Sequence, residues 1–312
     1  MDTELREYLV GIYGQDGLPF NTRFGNGDPI GADVVQVIDE VYEKYTTREP
    51  RQTGDLFLVD RSAPRRTLRH GESMTSHRTS HLPTTSVRFA ASDTFLDLWY
   101  VDLDVSPDAL NCFRHWLSND ELAKAERFRS DLDRARYIVG RGALRSVLAD
   151  RLGCSPAAIR FLYGRNGKPM LDRDRGHVEF SLAHSEGDAV IVLSDGAAVG
   201  VDIELLRPID DVESLARLVF SDVERRELEL APNPVLAFLN GWTRKEAYVK
   251  ALGLGLTAPL TEITVSLSGR AELFSTGLGH QSVSNWRLLN VLHPRAVVAL
   301  ALGLRLDSTK AA

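Results

Sequence analysis

A polar stretch from Arg61 to Arg88 divides the sequence into two unequal parts. It is rich in Ser, Thr, Arg, His and Pro and has very few large apolar side chains, so it buries too little surface to offset the entropy lost on ordering. We therefore expect a disordered linker over residues 61–92. The chain has 312 residues, which is about twice the usual length of one domain and leaves room for two.

Charge is distributed unevenly about this stretch. Residues 61–90 carry six arginines against a single acid, Glu72, whereas the whole chain has a net charge of −6. The remainder is therefore acidic, which argues against a nucleic-acid enzyme because non-specific affinity for nucleic acid depends on a basic surface. A linker is the preferred interpretation of the basic stretch, and a tail that binds an anionic partner is the alternative.

The composition is that of an ordinary globular protein, with 43% hydrophobic and 26% charged residues. The longest apolar stretch near the C-terminus, residues 296–302, is far shorter than the roughly 20 residues of a membrane span. The start of the chain lacks the features of a secretory signal, and Cys112 and Cys154 form no metal or redox spacing. We expect a cytoplasmic protein without a membrane segment.

The N-terminal segment combines residues 23–30, the helical pattern after them and the strand-like residues 54–60. In these features it resembles the C-terminal tail of the taurine-dioxygenase-like iron and 2-oxoglutarate enzymes. It stops at Asp60, the nearest histidine is His70, and the segment leaves no room for the His-x-Asp/Glu pair of a facial triad. We interpret residues 1–60 as a remnant of such an enzyme and expect no dioxygenase activity.

From Thr94 onward the hydrophobic pattern alternates between strand and helix periods. The predicted strands cover residues 95–103, 159–163, 178–183, 189–193, 198–204, 262–267, 286–292 and 295–302, and the predicted helices cover residues 118–128, 133–152, 211–220 and 234–252, with a further helix after Ser221. Ser118 with Glu121 and Ser221 with Glu224 have the spacing of capping boxes. The pattern predicts an α+β protein of two similar lobes, residues 93–197 and 198–306, with a cleft between them and a tail at 307–312.

A strand that carries two acids, residues 199–204, is the most informative segment. Side chains alternate along a strand, so Asp202 and Glu204 lie on one face and Val201 and Ile203 on the other. Two neighbouring carboxylates stay ionised only beside a cation or basic groups, and oxygen ligands favour Mg²⁺. The alternative is a solvent-facing strand end with ordinary acids.

The predicted helix at 234–252 contains a second charged cluster, Lys245, Glu246 and Lys250, set among Trp242 and Tyr248. Glu246 and Lys250 are four residues apart and form a helical pair. A surface salt bridge explains the pair alone, but the flanking aromatic residues favour a helix face turned towards a polar cleft.

Two further segments carry groups suited to phosphate. Gly167 and Lys168 form a turn that can present backbone N–H groups and an ammonium. His184 and Ser185 end a predicted strand. They lack the nucleophile elbow of a serine hydrolase, so we interpret His184 as a phosphate contact, with a structural histidine as the alternative.

Together these segments resemble, in order and spacing, the 4'-phosphopantetheinyl transferases, in particular the larger monomeric type that activates peptide and polyketide synthetases. The resemblance covers residues 93–306. It rests on the motifs at 117–128, Asp133, Arg136, 167–169, 180–185, 200–204, 220–224 and 242–250.

The resemblance implies transfer of the phosphopantetheine arm of coenzyme A to a serine of an apo carrier protein, with release of adenosine 3',5'-bisphosphate. It implies Mg²⁺ held by Asp202, Glu204 and Glu246, with Glu246 as general base and Lys250 at the reacting phosphate. Binding of coenzyme A is assigned to Lys124, Arg136, Lys168, His184 and Lys245. The expected partners are acyl or peptidyl carrier domains, with no nucleic acid and no membrane, and the protein is expected to be a monomer. Glu224 fits either a capping box or a site acid.

Two residues depart from the family pattern. Ala183 stands where a serine hydroxyl is usual, and Glu121 stands where some relatives have a basic coenzyme contact. Loss of such contacts would weaken coenzyme binding. The alternative to an active enzyme, suggested by the interrupted N-terminal segment and by Ala183, is a catalytically impaired module that binds coenzyme A or carrier protein.

Overall fold

The computed structural model describes residues 84–91, 94–172, 178–291, 293 and 295–304. The predicted dioxygenase remnant, most of the predicted linker and the tail lie outside these residues. The described part mixes helices with antiparallel sheets, which confirms the α+β class.

The first series of elements runs from a strand pair through three helices to four further strands. Its members are β1 (Thr84–Ala91), β2 (Thr94–Asp102), α1 (Pro107–Trp116), α2 (Asn119–Ala125), α3 (Asp131–Leu152), β3 (Phe161–Tyr163), β4 (Pro169–Leu171), β5 (Val178–Ser185) and β6 (Asp188–Asp195). The capping box of α2 is confirmed, because the Ser118 hydroxyl accepts from the N–H of Glu121 and the Glu121 carboxylate accepts from the N–H of Ser118.

The second series repeats this succession without a counterpart of β1. Its members are β7 (Val199–Leu205), α4 (Val212–Val219), α5 (Asp222–Glu229), α6 (Pro234–Leu252), β8 (Ile263–Val265), β9 (Leu273–Thr276), β10 (Trp286–Val291) and β11 (Ala296–Gly303). The capping box of α5 is also present, formed by Ser221 and Glu224. Short 3₁₀ turns occur at Pro156–Ala158, Gly255–Thr257 and Val283–Asn285.

Strand pairing follows the same plan in both series. In the first, β6 lies between β2 and β5, and β3 pairs with β4; in the second, β11 lies between β7 and β10, and β8 pairs with β9. All of these pairs are antiparallel.

The two main sheets pack face to face between layers of helices. Alternate residues of β6 face opposite sides: Val190 and Val192 enter the core between the sheets, whereas Ile191 packs against the helices of the first series. In β11, Leu300 likewise faces the core between the sheets and Ala301 faces α6. Both central strands are thus buried on two sides.

Strand β1 corrects the predicted boundary between linker and transferase. It lies within residues 61–92, which were expected to be disordered, yet it pairs with β2 along its whole length, from Thr84 opposite Val101 to Ala91 opposite Thr94. The alternation of Val87 and Phe89 is too short and too polar in context to have indicated a strand. An edge strand is stabilised by the neighbour it pairs with, which the sequence does not reveal.

Candidate active site

The strand with the two acids, β7, lies directly against helix α6, and a glycine allows this approach. A Cβ atom added at Gly200 would lie 2.0 Å from the carbonyl oxygen of Ala247 and 2.4 Å from the amide nitrogen of Ala251. Any side chain at this position would push the strand from the helix. Gly200 therefore permits the contact between the Asp202 strand and the Lys250 helix.

The closest charged contact of the site joins Asp202 and Lys250. The Nζ atom of Lys250 donates to Oδ1 of Asp202 at 2.5 Å, and Asp202 is only 5% exposed. The other oxygen, Oδ2, is buried and makes no hydrogen bond within the described residues. Burial raises the pKa of Asp202 although the charge of Lys250 opposes this.

Lys250 stands among all three predicted metal ligands. Burial alone would lower its pKa, but the charges of Asp202, Glu246 and Glu204, in that order, outweigh burial and raise it. Lys250 is therefore a firmly protonated cation at neutral pH. Glu246 lies one helical turn before it on α6 and is 5% exposed.

Both oxygens of Glu204 accept hydrogen bonds. Oε2 accepts from the hydroxyl of Ser185 on β5 and Oε1 from the indole N–H of Trp242 on α6, each at 3.2 Å. Burial and then the neighbouring Asp202 raise the pKa of Glu204 to about 7, against the opposing effects of Arg207 and the two hydrogen bonds. A second carboxylate next to Asp202 is thus electrostatically costly without a cation.

The donor set fits a hard cation, although it is not a preformed cage. Among the described residues no group of three or more His, Cys, Asp or Glu side chains converges closely enough to hold a metal. Asp202 nevertheless offers a buried oxygen without a donor, beside the repelling Glu204. Mg²⁺ is usually bound by one or two carboxylates and completed by water and substrate phosphates, which suits this arrangement.

Lys245 does not face the site. Its Nζ atom is fully buried and donates to Oε2 of Glu224 and to the carbonyl oxygens of Val219 and Leu260, each at 2.7 Å. An ammonium has three donors, and all three are used. The prediction that Lys245 binds coenzyme A is therefore corrected: its role is structural. Burial lowers the pKa of Lys245 to about 8 even with Glu224 beside it.

Glu224 is the buried partner of Lys245 in these contacts. Besides the capping N–H of Ser221 at 2.7 Å and the ammonium of Lys245, it accepts from the N–H of Val265 at 2.9 Å. The residue is fully buried. Of the two roles left open by the sequence, the capping and structural role is the one observed.

Lys168 joins the β3–β4 turn to the end of α6. Its Nζ atom donates to the carbonyl oxygen of Ala251 at 2.9 Å and to that of Val199 at 3.5 Å, and Asn166 donates to the carbonyl of Gly253 at 3.0 Å. A cation at a helix C-terminus also meets the negative end of the helix dipole. The observed role is to fix the helix that carries Lys250, while a contact with the coenzyme stays a prediction.

Arg136 lies beside the turn that follows the His184 strand. Its guanidinium binds Asp104 through two hydrogen bonds of 2.7 Å, and a Cβ atom added at Gly187 in that turn would lie 3.4 Å from Nη2 of Arg136. The hydrogen bonds from Arg136 lower the pKa of Asp104 although burial opposes this. Lys124 lies on α2, with its ammonium 5.9 Å from the ring centre of Tyr137.

Comparison with known proteins assigns the family. A family model described as the 4'-phosphopantetheinyl transferase superfamily matches residues 198–301, which include β7 and α6. The 4'-phosphopantetheinyl transferase HetI of Nostoc sp. is 40% identical over 175 residues, which are 55% of this chain and 73% of HetI. The chain belongs to the 4'-phosphopantetheinyl transferases. These enzymes transfer phosphopantetheine from coenzyme A to apo carrier proteins.

Two further relatives extend the comparison. The putative 4'-phosphopantetheinyl transferase slr0495 of Synechocystis sp. is 36% identical over 150 residues, 47% of this chain and 61% of the relative. The 4'-phosphopantetheinyl transferase Sfp of Bacillus subtilis is 30% identical over 170 residues, 54% of this chain and 74% of Sfp. Each match covers about half of this transferase.

Both departures from the family pattern occupy structural positions in this transferase. Ala183 is fully buried in the core between the two sheets. Glu121 is 2% exposed and bridges Arg141 and Arg145, with N–O distances of 2.7 Å in both ion pairs. The expectation that these residues weaken coenzyme binding has no support in the contacts they make.

Sequence reasoning missed the partners of the site residues. Trp242 and Ser185 fall inside the recognised motifs, but nothing in the sequence shows that both donate to Glu204. Asp104, the partner of Arg136, follows a predicted strand and carried no signal of its own. Contacts between residues far apart in the chain depend on packing, which residue spacing does not encode.

Proposed function

We propose that the transferase consists of two similar lobes related as a pseudo-dimer. The repeated order and pairing of strands and helices supports this organisation. A repeated buried ion pair supports it as well: the capping-box acid of each series, Glu121 and Glu224, pairs with basic residues of the following long helix, Arg141 and Arg145 in one case and Lys245 in the other.

We propose that the site between β7 and α6 carries out Mg²⁺-dependent transfer of phosphopantetheine. The observation that carries this is the position of Lys250, a partly buried cation whose charge interacts with Asp202, Glu246 and Glu204. Phosphoryl transfer is catalysed mainly by positioning and by charge stabilisation. A cation held among carboxylates provides that chemistry for a pyrophosphate substrate.

Each residue of the site has a proposed role. Asp202, Glu204 and Glu246 would hold Mg²⁺ together with the substrate phosphates and water, and the ion would supply a Lewis acid and a template for the pyrophosphate. Glu246 accepts the proton of the carrier serine, directly or through water. The serine oxygen forms a bond to the phosphorus that bears the pantetheine arm, and the bond from that phosphorus to the bridging oxygen breaks. The electron pair leaves with adenosine 3',5'-bisphosphate.

Basic groups around the site complete the proposed mechanism. Lys250 contacts the phosphate at which attack occurs and stabilises its developing charge. Arg136, His184 and Lys124 bind the phosphates of coenzyme A. For Arg136 this requires that a phosphate share or replace Asp104, which now occupies both arms of the guanidinium.

The impaired binding module is the less favoured alternative. This alternative rested on the interrupted N-terminal segment, which lies outside the described residues, and on Ala183, which is fully buried in the core between the two sheets. The two functions are separated by detection of adenosine 3',5'-bisphosphate by chromatography. Release only when coenzyme A, apo carrier and Mg²⁺ are all present supports the enzyme; coenzyme binding without release under any of these conditions supports the module.

We propose acyl or peptidyl carrier domains of fatty acid, polyketide or peptide synthetases as acceptors, a monomeric enzyme, and a cytoplasmic location. In the part of the chain that the structure describes, no helix is long and apolar enough to cross a membrane. Both cysteines are free, Cys112 at the surface and Cys154 partly buried.

A further inference from the structure

The carboxylate of Glu204 is oriented by two donors from different parts of the fold. The Ser185 hydroxyl belongs to β5 in the first series of elements, and the Trp242 indole belongs to α6 in the second. Each donates to a different oxygen of Glu204 at 3.2 Å. A carboxylate has about four lone-pair sites, so both oxygens can still accept a cation.

The donor direction of Ser185 is defined by a second hydrogen bond. Its hydroxyl oxygen accepts from the backbone N–H of Leu205 on β7 at 3.2 Å. A hydroxyl has one proton, and that proton points to Glu204. Ser185 thus links β5 to the strand of the acids and directs the carboxylate in one contact.

Trp242 is fixed by packing. It is 3% exposed and lies in the core cluster formed by α4, α5 and α6. Its ring nitrogen is only a donor, so the indole cannot change role when a ligand enters. It lies four residues before Glu246 on α6, which places it one turn from the proposed base.

We propose that Ser185 and Trp242 are positioning residues that hold Glu204 in the orientation required by the metal. This rests on the proposed function of Glu204 as a magnesium ligand. Hydrogen-bond partners of metal ligands set ligand orientation, and their loss typically lowers metal affinity by about 10- to 100-fold. Ser185 thereby gains a role at the carboxylate that its position beside His184 in the sequence did not indicate.

The fold supplies a matched control for each residue. Ser181 lies four residues earlier on β5 and is 7% exposed like Ser185. It accepts from the N–H of Val201 on β7 at 3.2 Å, whereas the side-chain donors to Glu204 within the described residues are Ser185 and Trp242. Trp286 is 7% exposed and donates its indole N–H to Gln281 at 3.3 Å. The control variants remove the same groups, a serine hydroxyl and an indole N–H, from positions that do not donate to the carboxylate of Glu204.

The experiment is a titration of the protein with Mn²⁺, in which electron paramagnetic resonance measures the concentration of the free ion. Coenzyme A is present and the carrier protein is omitted, so that no turnover occurs. Ser185→Ala and Trp242→Phe are expected to weaken Mn²⁺ binding by about 10-fold or more, whereas Ser181→Ala and Trp286→Phe leave it unchanged within error. Unchanged affinity in Ser185→Ala and Trp242→Phe, or an equal loss in the controls, overturns the proposal.

Kinetics give a second measurement. The Mg²⁺ concentration that gives half-maximal activity should rise in Ser185→Ala and Trp242→Phe. The KM for coenzyme A should stay unchanged, and activity should recover at saturating Mg²⁺. Melting curves report folding, and if Ser185→Ala does not fold, Trp242→Phe alone decides. If the wild-type protein itself binds no Mn²⁺, the metal assignment and the proposed function fail with it; if it binds and the variants bind equally, only the positioning role fails.

Discussion

Lys250 and Asp202 are joined across β7 and α6 by a contact of 2.5 Å between Nζ and Oδ1. This contact pairs a cation that lies among the carboxylates of the site with an acid whose other oxygen accepts no hydrogen bond from the described residues. We expect an entering pyrophosphate to draw Lys250 from Asp202. The ammonium of Lys250 offsets the charge of one of the carboxylates around it, Asp202.

The close approach at Gly200 makes a sharp prediction. Gly200→Ala should destabilise the fold by about 3 kcal/mol or more, because the new methyl group overlaps the backbone of α6 and must displace β7. We also expect kcat to fall by more than the loss of folded protein explains, because Asp202 moves with the strand. Chemical denaturation and steady-state kinetics measure both effects.

Gly140 on α3 is the control. A Cβ atom there would meet its nearest neighbour, Cδ2 of Leu103, at 3.7 Å, so Gly140→Ala should be neutral or stabilise the helix by up to about 1 kcal/mol. Equal behaviour of the two variants would contradict the account of the strand–helix contact.

Lys245 should affect stability and not coenzyme binding. Lys245→Met leaves the buried carboxylate of Glu224 without its cation and is expected to cost about 3–5 kcal/mol. The double variant with Glu224→Gln should recover part of this loss. Denaturant titration measures the stability; a variant of wild-type stability with a raised KM for coenzyme A would restore the predicted coenzyme role.

Glu121 should contribute stability that depends on pH. Burial would raise its pKa, but Arg141, the N–H of Ser118 and Arg145 together lower it below its ordinary value of 4.5. The unfolded chain therefore binds the proton first as pH falls, so the stabilisation is complete above about pH 4.5 and is lost as pH falls through the lower, folded-state pKa.

Glu121→Gln removes this titration and leaves Arg141 and Arg145 without their buried acid. At pH 7 the variant should be less stable than wild type by about 3–5 kcal/mol, and the difference should narrow below pH 4.5. Urea denaturation at a series of pH values measures it. A difference that stays constant down to pH 3 would show that the carboxylate does not carry the effect.

The boundary at β1 can be tested by truncation. Removal of residues 1–83 should leave activity and melting temperature unchanged, whereas removal of residues 1–93 deletes the strand that covers the edge of β2. An uncovered edge exposes unpaired backbone groups and favours association between chains. The protein without residues 1–93 should have a lower melting temperature and should aggregate. Equal melting temperatures and equal solubility of the two truncated proteins would contradict the role of β1.

Much of the fold was readable from local patterns. The capping boxes at Ser118 and Ser221 and the hydrophobic periodicity of α3 and α6 depend on neighbouring residues, and both helices are confirmed. Asp202 and Glu204 were found because strand alternation places them on one face. Each of these signals depends only on residues that lie a few positions apart in the sequence.

The remainder depends on contacts between distant residues. Lys245 and Glu246 are adjacent in the sequence, yet Lys245 points to Glu224 in the interior while Glu246 is among the charges that act on Lys250. The charged pattern of α6 did not show which side chain faces the strand. The interior-facing partners, Glu224 and the carbonyl of Leu260, lie more than ten residues away.

The most direct test of the account is the intact mass of an apo carrier protein after incubation with this chain, coenzyme A and Mg²⁺. We predict addition of one phosphopantetheine group, loss of the reaction in EDTA, and a fall of about 10²- to 10⁴-fold in rate for Glu246→Gln with an unchanged circular dichroism spectrum. Unmodified mass with each of several carriers, or a near-normal rate for Glu246→Gln, would contradict it.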